Sequence, residues 1–255
     1  MCRELAAFSQ KKNTRKEWIR MNDTVENITG FLHANRIDLK DISLGVQALT
    51  HPSCSQEDAD GGQNNQRLEF LGDAILDFVI GEYLYLHYPA FKEGVLTQVR
   101  AGLVCEGTLY EIAMNLKLGD HLLLGKGEKV SGGRQRKSTL ADALEALIGA
   151  IYLDGGLEAA REFILREMGD KLVGLTEDTY ADYKSRLQEW VQGRGRENVN
   201  YQLHESIGPA HDRWFVSGVY YQGRLLAEGS GKTKKESEQK AAAVALELLK
   251  HREEK

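Results

Sequence analysis

A stretch from Leu68 to Leu86 is apolar on nearly every side when wound into a helix, yet it carries Glu69, Asp73 and Asp77 four residues apart. An apolar helix of this kind belongs in the centre of a bundle. Each step of four turns about 40° around the axis, so Glu69 and Asp73 share a face and Asp77 lies toward its edge. On a wet surface the repulsion would cost only about 0.2–0.5 kcal/mol per pair, but a desolvated carboxylate without a partner costs several. No Lys or Arg stands on the stripe. Either the carboxyls protonate or a cation sits between them.

The segment 138–153 repeats the pattern. Leu140, Ala143, Leu144, Ala146, Leu147, Ile148, Ala150 and Ile151 surround Asp142 and Glu145, which lie one turn apart on one face. Gly149 falls nearly above Asp142 and leaves room for another helix to approach. Two apolar helices thus each present an acidic pair. Packed together they would converge four carboxylates on one point, an all-oxygen ligand set suited to Mg²⁺ or Mn²⁺ and ill suited to zinc. A solvated acidic face is the plainer alternative, and the apolar neighbours on both flanks speak against it. A di-iron carboxylate bundle would need Glu-x-x-His, and no Glu in the chain has a His three residues on.

With 255 residues, the chain has room for one large domain or for a medium and a small one. Only 3 residues are Pro, about 1% against the usual 5%, so a mostly α chain is expected. The net charge of −5 divides unevenly: residues 179–255 hold 13 Lys+Arg against 11 Asp+Glu, net +2, and leave the rest at −7. An acidic body with a mildly basic tail piece is compatible with a nucleic-acid partner. Cys2, Cys54 and Cys105 are an odd count without CxxC spacing, which fits reduced thiols and a cytoplasmic location better than disulfides or a zinc knuckle. No apolar signal segment and no run of 18 uncharged apolar residues is present, so neither export nor a membrane partner is expected.

Residues 1–22 read as a loosely ordered tail, with Met21 a candidate start, 23–170 as a helical body, 171–181 as a polar linker and 182–251 as a second domain. The first helix is predicted to begin at Asp23, capped there with Glu26 reaching back. Others are predicted near 43–50, ending at His51-Pro52, and at 94–104, 106–117, 138–153 and 157–168, with a polar loop over 56–65 and a break at Asp154-Gly155-Gly156. Beyond the linker the period changes. A helix at 182–193, alternation through Val199, Tyr201, Leu203, then Trp214, Val216, Tyr220, then 224–228, and an Ala-rich helix at 233–250 give the order α-β-β-β-α. Gly208-Pro209 and Gln222-Gly223 supply the turns.

The run Gln-Arg-Leu-Glu-Phe-Leu-Gly-Asp-Ala-Ile-Leu at 66–76 resembles the signature of the ribonuclease III family, and Lys92-Glu93-Gly94, residues 122–128 and residues 140–156 are similar to that family in the same order. The tail resembles a double-stranded-RNA-binding domain through Asp182-Tyr183-Lys184, Leu187-Gln188-Glu189, Gly208-Pro209 and 231–236. The resemblance implies an all-helical nuclease domain followed by a small α-β-β-β-α double-stranded-RNA-binding domain. It implies a homodimer with two active sites that hydrolyses double-stranded RNA. The ends would be 5′-phosphate and 3′-hydroxyl with short 3′ overhangs, and the substrates rRNA precursors and other structured transcripts. By the same resemblance Glu69, Asp142 and Glu145 hold Mg²⁺, with Mn²⁺ a substitute, while Asp73 and Glu145 are the catalytic residues.

Gln66 stands where the family usually has Glu, at a position associated with substrate contact, which implies an altered substrate preference rather than lost activity. Phe70 resembles the residue that plugs into the partner subunit. His51-Pro52-Ser53-Cys54 replaces the commoner His-Arg-Ser-Tyr, and Ser53 and Cys54 read as cap or turn residues rather than nucleophiles. Ser185, Gln188, Glu189 and His211 match the family's minor-groove contacts. Lys232, Lys234 and Lys235 begin the last helix, where free N–H groups and the dipole favour a phosphate. A second basic run, Lys126, Lys129, Arg134, Arg136 and Lys137, has two open readings, phosphate contact or solvated loop. Two rivals remain: an RNA-binding protein that does not cut would have no reason to keep four carboxylates among apolar residues, and a phosphohydrolase of small nucleotides would need no second domain.

Overall fold

A computed structural model describes residues 15–55, 63–176, 182–193, 198–209 and 213–253. The chain divides into two compact units, Met1–Thr179 and Tyr180–Lys255. The first is helical: α1 Arg15–Ala34, α2 Ile42–Ala48, the single turn α3 Pro52–Ser55, α4 Gln66–His87, α5 Glu93–Leu103, α6 Glu106–Asn115, α7 Lys126–Val130 and α8 Lys137–Leu172. The helix expected from Asp23 starts at Arg15 instead. Nothing from 15 to 29 is Gly or Pro, and Arg, Lys, Glu and Met favour helix, so Asp23 lies mid-helix and is no cap. The next helix, α2, is capped by Asp41, whose carboxylate accepts the Ser43 N–H at 3.0 Å.

The predicted break at 154–156 is present: two helical stretches of α8 meet there at a kink, where Gly156 leaves helical geometry at φ 79°. There the Asp154 carboxylate accepts the N–H groups of Lys40 (2.9 Å) and Asp41 (2.8 Å), which fastens the entry of α2 to the kink. α4 lies along α8, with α2 and α6 also against α8. Leu76, Val79, Ile80 and Leu84 of α4 and Leu140, Leu144, Leu147 and Ile148 of α8 are buried in this core, each worth roughly 1.5–3 kcal/mol against exposure. One expectation needs correction: α4 is not enclosed on every side. Phe70, Phe78, Tyr85 and Leu86 are exposed, so its apolar character exceeds what one chain buries.

The second unit runs α9 Tyr183–Gln192, β1 Asn200–Ile207, β2 Trp214–Tyr221, β3 Arg224–Gly231 and α10 Lys234–Glu253, the strands forming an antiparallel sheet in the order β1-β2-β3. Gln222 and Gly223 both have positive φ, as a two-residue hairpin turn requires. Leu187 and Val191 of α9, Val219 and Ala227 of the sheet and Ala241, Ala242, Ala245 and Leu246 of α10 make its core. The alanines that mark the last helix in the sequence are the residues that let it lie close to the strands.

Candidate active site

The geometry of the site follows from how closely α4 and α8 cross. Gly72 lies one turn beyond Glu69, and Gly149 one turn beyond Glu145. A Cβ on Gly72 would collide with the Glu145 carbonyl oxygen and stand 3.0 Å from the Gly149 nitrogen, and one on Gly149 would collide with the Leu68 carbonyl oxygen. The two glycines therefore face each other at the crossing. Gly149 is legible in the sequence from its position above Asp142, and the signal for Gly72 is its place between two of the acids.

At this crossing Glu69, Asp142 and Glu145 each offer a carboxylate oxygen, all within 4.8 Å of one another. Asp73, on the exposed side of α4, is near enough to act on both Glu69 and Glu145. Burial, reinforced by the charges of Asp73, Asp142 and Glu69, pushes the Glu145 carboxyl up to about 8. Glu69 is raised by burial and then by Asp142 and Asp73. Asp142 is raised by burial, with Glu106 adding to the rise and His51 opposing it. Asp77 is not part of the group: it pairs with Arg100 of α5 at 3.6 Å. Among the described residues no Lys or Arg pairs with the other four acids. Hard oxygen ligands, crowded and without a protein cation, fit a divalent metal ion.

The crowding has a measurable consequence. A carboxyl that binds its proton more tightly in the folded chain stabilises the fold below its unfolded pKa, near 4.5, and this contribution is lost as pH rises through about 8. In a chelator the melting temperature is therefore expected to fall between about pH 5 and 8. Glu145→Gln should flatten that fall and melt above the parent at the alkaline end. Thermal melts across this range check it, and a Gln variant melting below the parent near pH 8 would contradict the burial of an unneutralised charge.

Gln66 opens α4, exposed, with its N–H donated to the Asn64 side chain at 3.2 Å. Phe70 is 79% exposed on the open face of α4. Ser53 serves a turn, as its position beside His51 suggested: its N–H donates to His51 Nδ1 and its Oγ accepts the Gly125 N–H. Within the second basic run, Arg134 donates to the carbonyls of Gly119 (2.6 Å) and Asp120 (2.8 Å) and Arg136 pairs with Glu128, so both serve the local fold. Lys126 and Lys129 lie on the short helix α7, exposed.

In the second unit, Ser185 and Glu189 are exposed on α9, Ser185 donating to the capping carboxylate of Asp182 at 2.6 Å. Gln188 is more committed than expected: its amide donates to Asn198 (2.9 Å) and accepts the Val199 N–H (3.1 Å), tying α9 to the entry of β1. His211 lies outside the described residues. At the start of α10, Thr233 Oγ1 accepts the Glu236 N–H and Glu236 accepts the Lys232 N–H, a cap that leaves Lys234 and Lys235 on the exposed first turn. Lys232 Nζ lies 4.7 Å from the centre of the Trp214 ring.

A family model described as ribonuclease-III-like matches residues 41–172, and one described as a double-stranded RNA binding motif matches residues 183–249. A protein named Ribonuclease 3 from Syntrophomonas wolfei is 54% identical over 217 residues, 85% of this chain and 93% of that one. The chain belongs to the ribonuclease III family. A Ribonuclease 3 from Moorella thermoacetica agrees, 50% identical over 86% of this chain and 92% of its own length. The nuclease domain of ribonuclease III from Campylobacter jejuni superposes with a TM-score of 0.52 at 42% identity, covering 57% of this chain and 97% of that domain. As a ribonuclease III, the chain is a double-strand-specific endoribonuclease, with the helical unit as its nuclease and the α-β-β-β-α unit as its double-stranded-RNA-binding domain. Among the described residues no helix is long and apolar enough to cross a membrane.

Proposed function

We propose that Glu69, Asp142 and Glu145 hold Mg²⁺, with Mn²⁺ able to replace it, and that Asp73 and Glu145 are the catalytic residues of phosphodiester hydrolysis in double-stranded RNA. The observation that carries this reading is the convergence of three carboxylates within 4.8 Å, one of them pushed up to about 8. A divalent ion so held supplies Lewis-acid chemistry, acidifying water and neutralising charge on the phosphate. The protein's own part is positional: α4 and α8 fix the acids from two sides, and exposed Asp73 stands at the rim to take or relay a proton. No enzyme nucleophile is required, which accords with Ser53 being engaged in a turn. The products are 5′-phosphate and 3′-hydroxyl ends with short 3′ overhangs, from rRNA precursors and other structured transcripts, in the cytoplasm.

The working form is a homodimer with two active sites. Its support is the uncovered apolar face of α4, where Phe70 is 79% exposed beside Gln66. Residues 23–170 then form the nuclease domain and 182–251 the duplex-binding domain, joined by 171–181. A-form RNA hides its base edges in a deep major groove, so the second domain reads 2′-hydroxyls and phosphates. Ser185, Gln188, Glu189 and His211 are assigned to the minor groove, and Lys232, Lys234 and Lys235 to phosphate. Purified protein with Mg²⁺ should cut a plain RNA duplex into short duplex products and leave a DNA duplex of the same sequence intact. Cleavage of both alike, or of neither, on a sizing gel would refute the assignment.

Salt separates binding from chemistry. If the three lysines each neutralise one phosphate, replacing all three by Ala should flatten the slope of log K against log salt by roughly two to three units, taking about 0.7–0.9 per phosphate. Affinity falls with it, while single-turnover cutting at saturating enzyme and low salt stays near the parent rate. An unchanged slope would leave these lysines as a solvated helix start and move the phosphate contacts to the basic loop at 126–137.

A further inference from the structure

We propose that His51 is a substrate-positioning residue of the nuclease, its ring fixed so that the Nε2–H is offered to a phosphate oxygen of the RNA. The inference rests on the reading above, in which Glu69, Asp142 and Glu145 form the hydrolytic centre.

The ring is fixed through its other nitrogen. His51 Nδ1 accepts the Ser53 N–H at 3.1 Å and lies 2.8 Å from Ser53 Oγ, which in turn accepts the Gly125 N–H at 3.0 Å. A ring nitrogen that accepts a backbone N–H carries no proton, so the neutral imidazole holds its proton on Nε2. Among the described residues Nε2 has no hydrogen-bond partner. Ser53 Oγ–H donates to Nδ1 while its oxygen accepts the Gly125 N–H, so Ser53 is held in the turn and orients the histidine.

The backbone sets this ring at the junction of the two acidic helices. His51 N–H donates to the Leu123 carbonyl (3.0 Å) and Leu123 N–H to the Leu49 carbonyl (2.8 Å), which pins the segment to the stretch that leads into α7. On the other side the Thr50 carbonyl accepts the Asn65 N–H (2.9 Å), and the Asn65 carbonyl accepts the Glu69 N–H (2.8 Å). Ala48, three residues earlier, packs with Leu68 of α4 and with Ala146 and Ala150 of α8. His51 makes no hydrogen bond with Asp142, so the ring keeps its one donor for an acceptor brought from outside, and the acceptor this site receives is a phosphodiester. An imidazole also suits the place better than Lys or Arg would. A permanent cation there would pair with the carboxylates and compete with the metal ion they hold.

Two substitutions separate this role from turn-capping. His51→Asn keeps an acceptor where Nδ1 stood and removes the Nε2–H. His51→Gln carries an amide N–H to the depth of Nε2 and gives up the short acceptor. The readouts are melting temperature, its rise on adding Mn²⁺, duplex-RNA affinity without divalent ion, and single-turnover cleavage with Mg²⁺. The Asn variant is expected to melt, respond to Mn²⁺ and bind RNA like the parent, yet to cleave about ten- to a hundredfold slower, the equivalent of one hydrogen bond to a charged group. The Gln variant should melt lower and cleave faster than the Asn variant. Cleavage by the Asn variant at the parent rate, or rates that simply follow stability in the two variants, would overturn the proposal. Glu145→Gln is measured beside them. If it too cleaves like the parent, the hydrolytic reading itself has failed. If it is inert while His51→Asn is fully active, only the role of His51 has.

Discussion

Glu145→Gln is expected to slow cleavage of duplex RNA by roughly 10³–10⁴-fold while binding of the duplex stays close to that of the parent. The exchange keeps the volume of the side chain and removes its charge. Metal stabilisation of a transition state is worth several kcal/mol, and at 1.36 kcal/mol per decade this becomes three to four decades of rate. Folding should survive, because a carboxyl pushed up to about 8 already spends much of its time uncharged at neutral pH in the metal-free protein. RNA affinity should survive as well, since it resides largely in the separate duplex-binding unit. Single-turnover assays with Mg²⁺, paired with gel-shift titrations in a chelator, measure the two effects independently. Asp73→Asn should lose rate in the same direction without the gain in metal-free stability, being on the exposed side of α4. Substantial Mg²⁺-dependent cutting by a pure Glu145→Gln sample would end the three-carboxylate account of the site.

The acids were readable before the fold because their signal is a local contradiction. Carboxylates at helical spacing among apolar residues have few physical resolutions, and the spacing alone puts each pair on one face. What the pattern did not reveal lies in contacts between elements remote in sequence. Asp77 looked like a third member of the stripe, and only the packing of α5 brings Arg100 to it. Arg134 and Arg136 left two readings open, phosphate contact or solvated loop, and their partners, the carbonyls of Gly119 and Asp120 and the Glu128 carboxylate, become apparent only once the segment is folded. The apolar surplus of α4 was read as burial on all sides. Periodicity records that a face is apolar, and it does not say whether the same chain or another covers it. Gln188 shows the same limit on a smaller scale, since a match to the family's minor-groove contacts does not disclose its bonds to Asn198 and Val199.

Gly72→Ala should test the architecture beneath the chemistry, and its effect is expected to be large for a single methyl group. A Cβ at 72 meets the backbone carbonyl of Glu145, and main chain cannot rotate aside as a side chain can. The helices must separate or shift along each other. Overpacking of this kind costs about 1–3 kcal/mol and occasionally more, offset by less than about 1 kcal/mol of improved helix propensity. For a domain of this size a loss near 3 kcal/mol lowers the melting temperature by roughly 6–12 °C. The catalytic effect should exceed what the stability loss explains, because Glu69 lies one turn from Gly72 and the methyl pushes against the residue that carries Glu145. A displacement of about 1 Å in a positioned group is worth about 10²-fold in rate. At a temperature where the variant is fully folded, cleavage should still be about a hundredfold slow, and Mn²⁺ should raise its melting temperature less than it raises the parent's. Gly149→Ala, which meets the Leu68 carbonyl from the other side of the crossing, should behave alike. Gly94→Ala in α5, where a Cβ finds nothing within 4 Å, is the control and should leave both properties near the parent. A Gly72→Ala protein that melts and cuts like that control would mean that α4 and α8 do not meet backbone to backbone, and the convergence of Glu69, Asp142 and Glu145 would need another explanation.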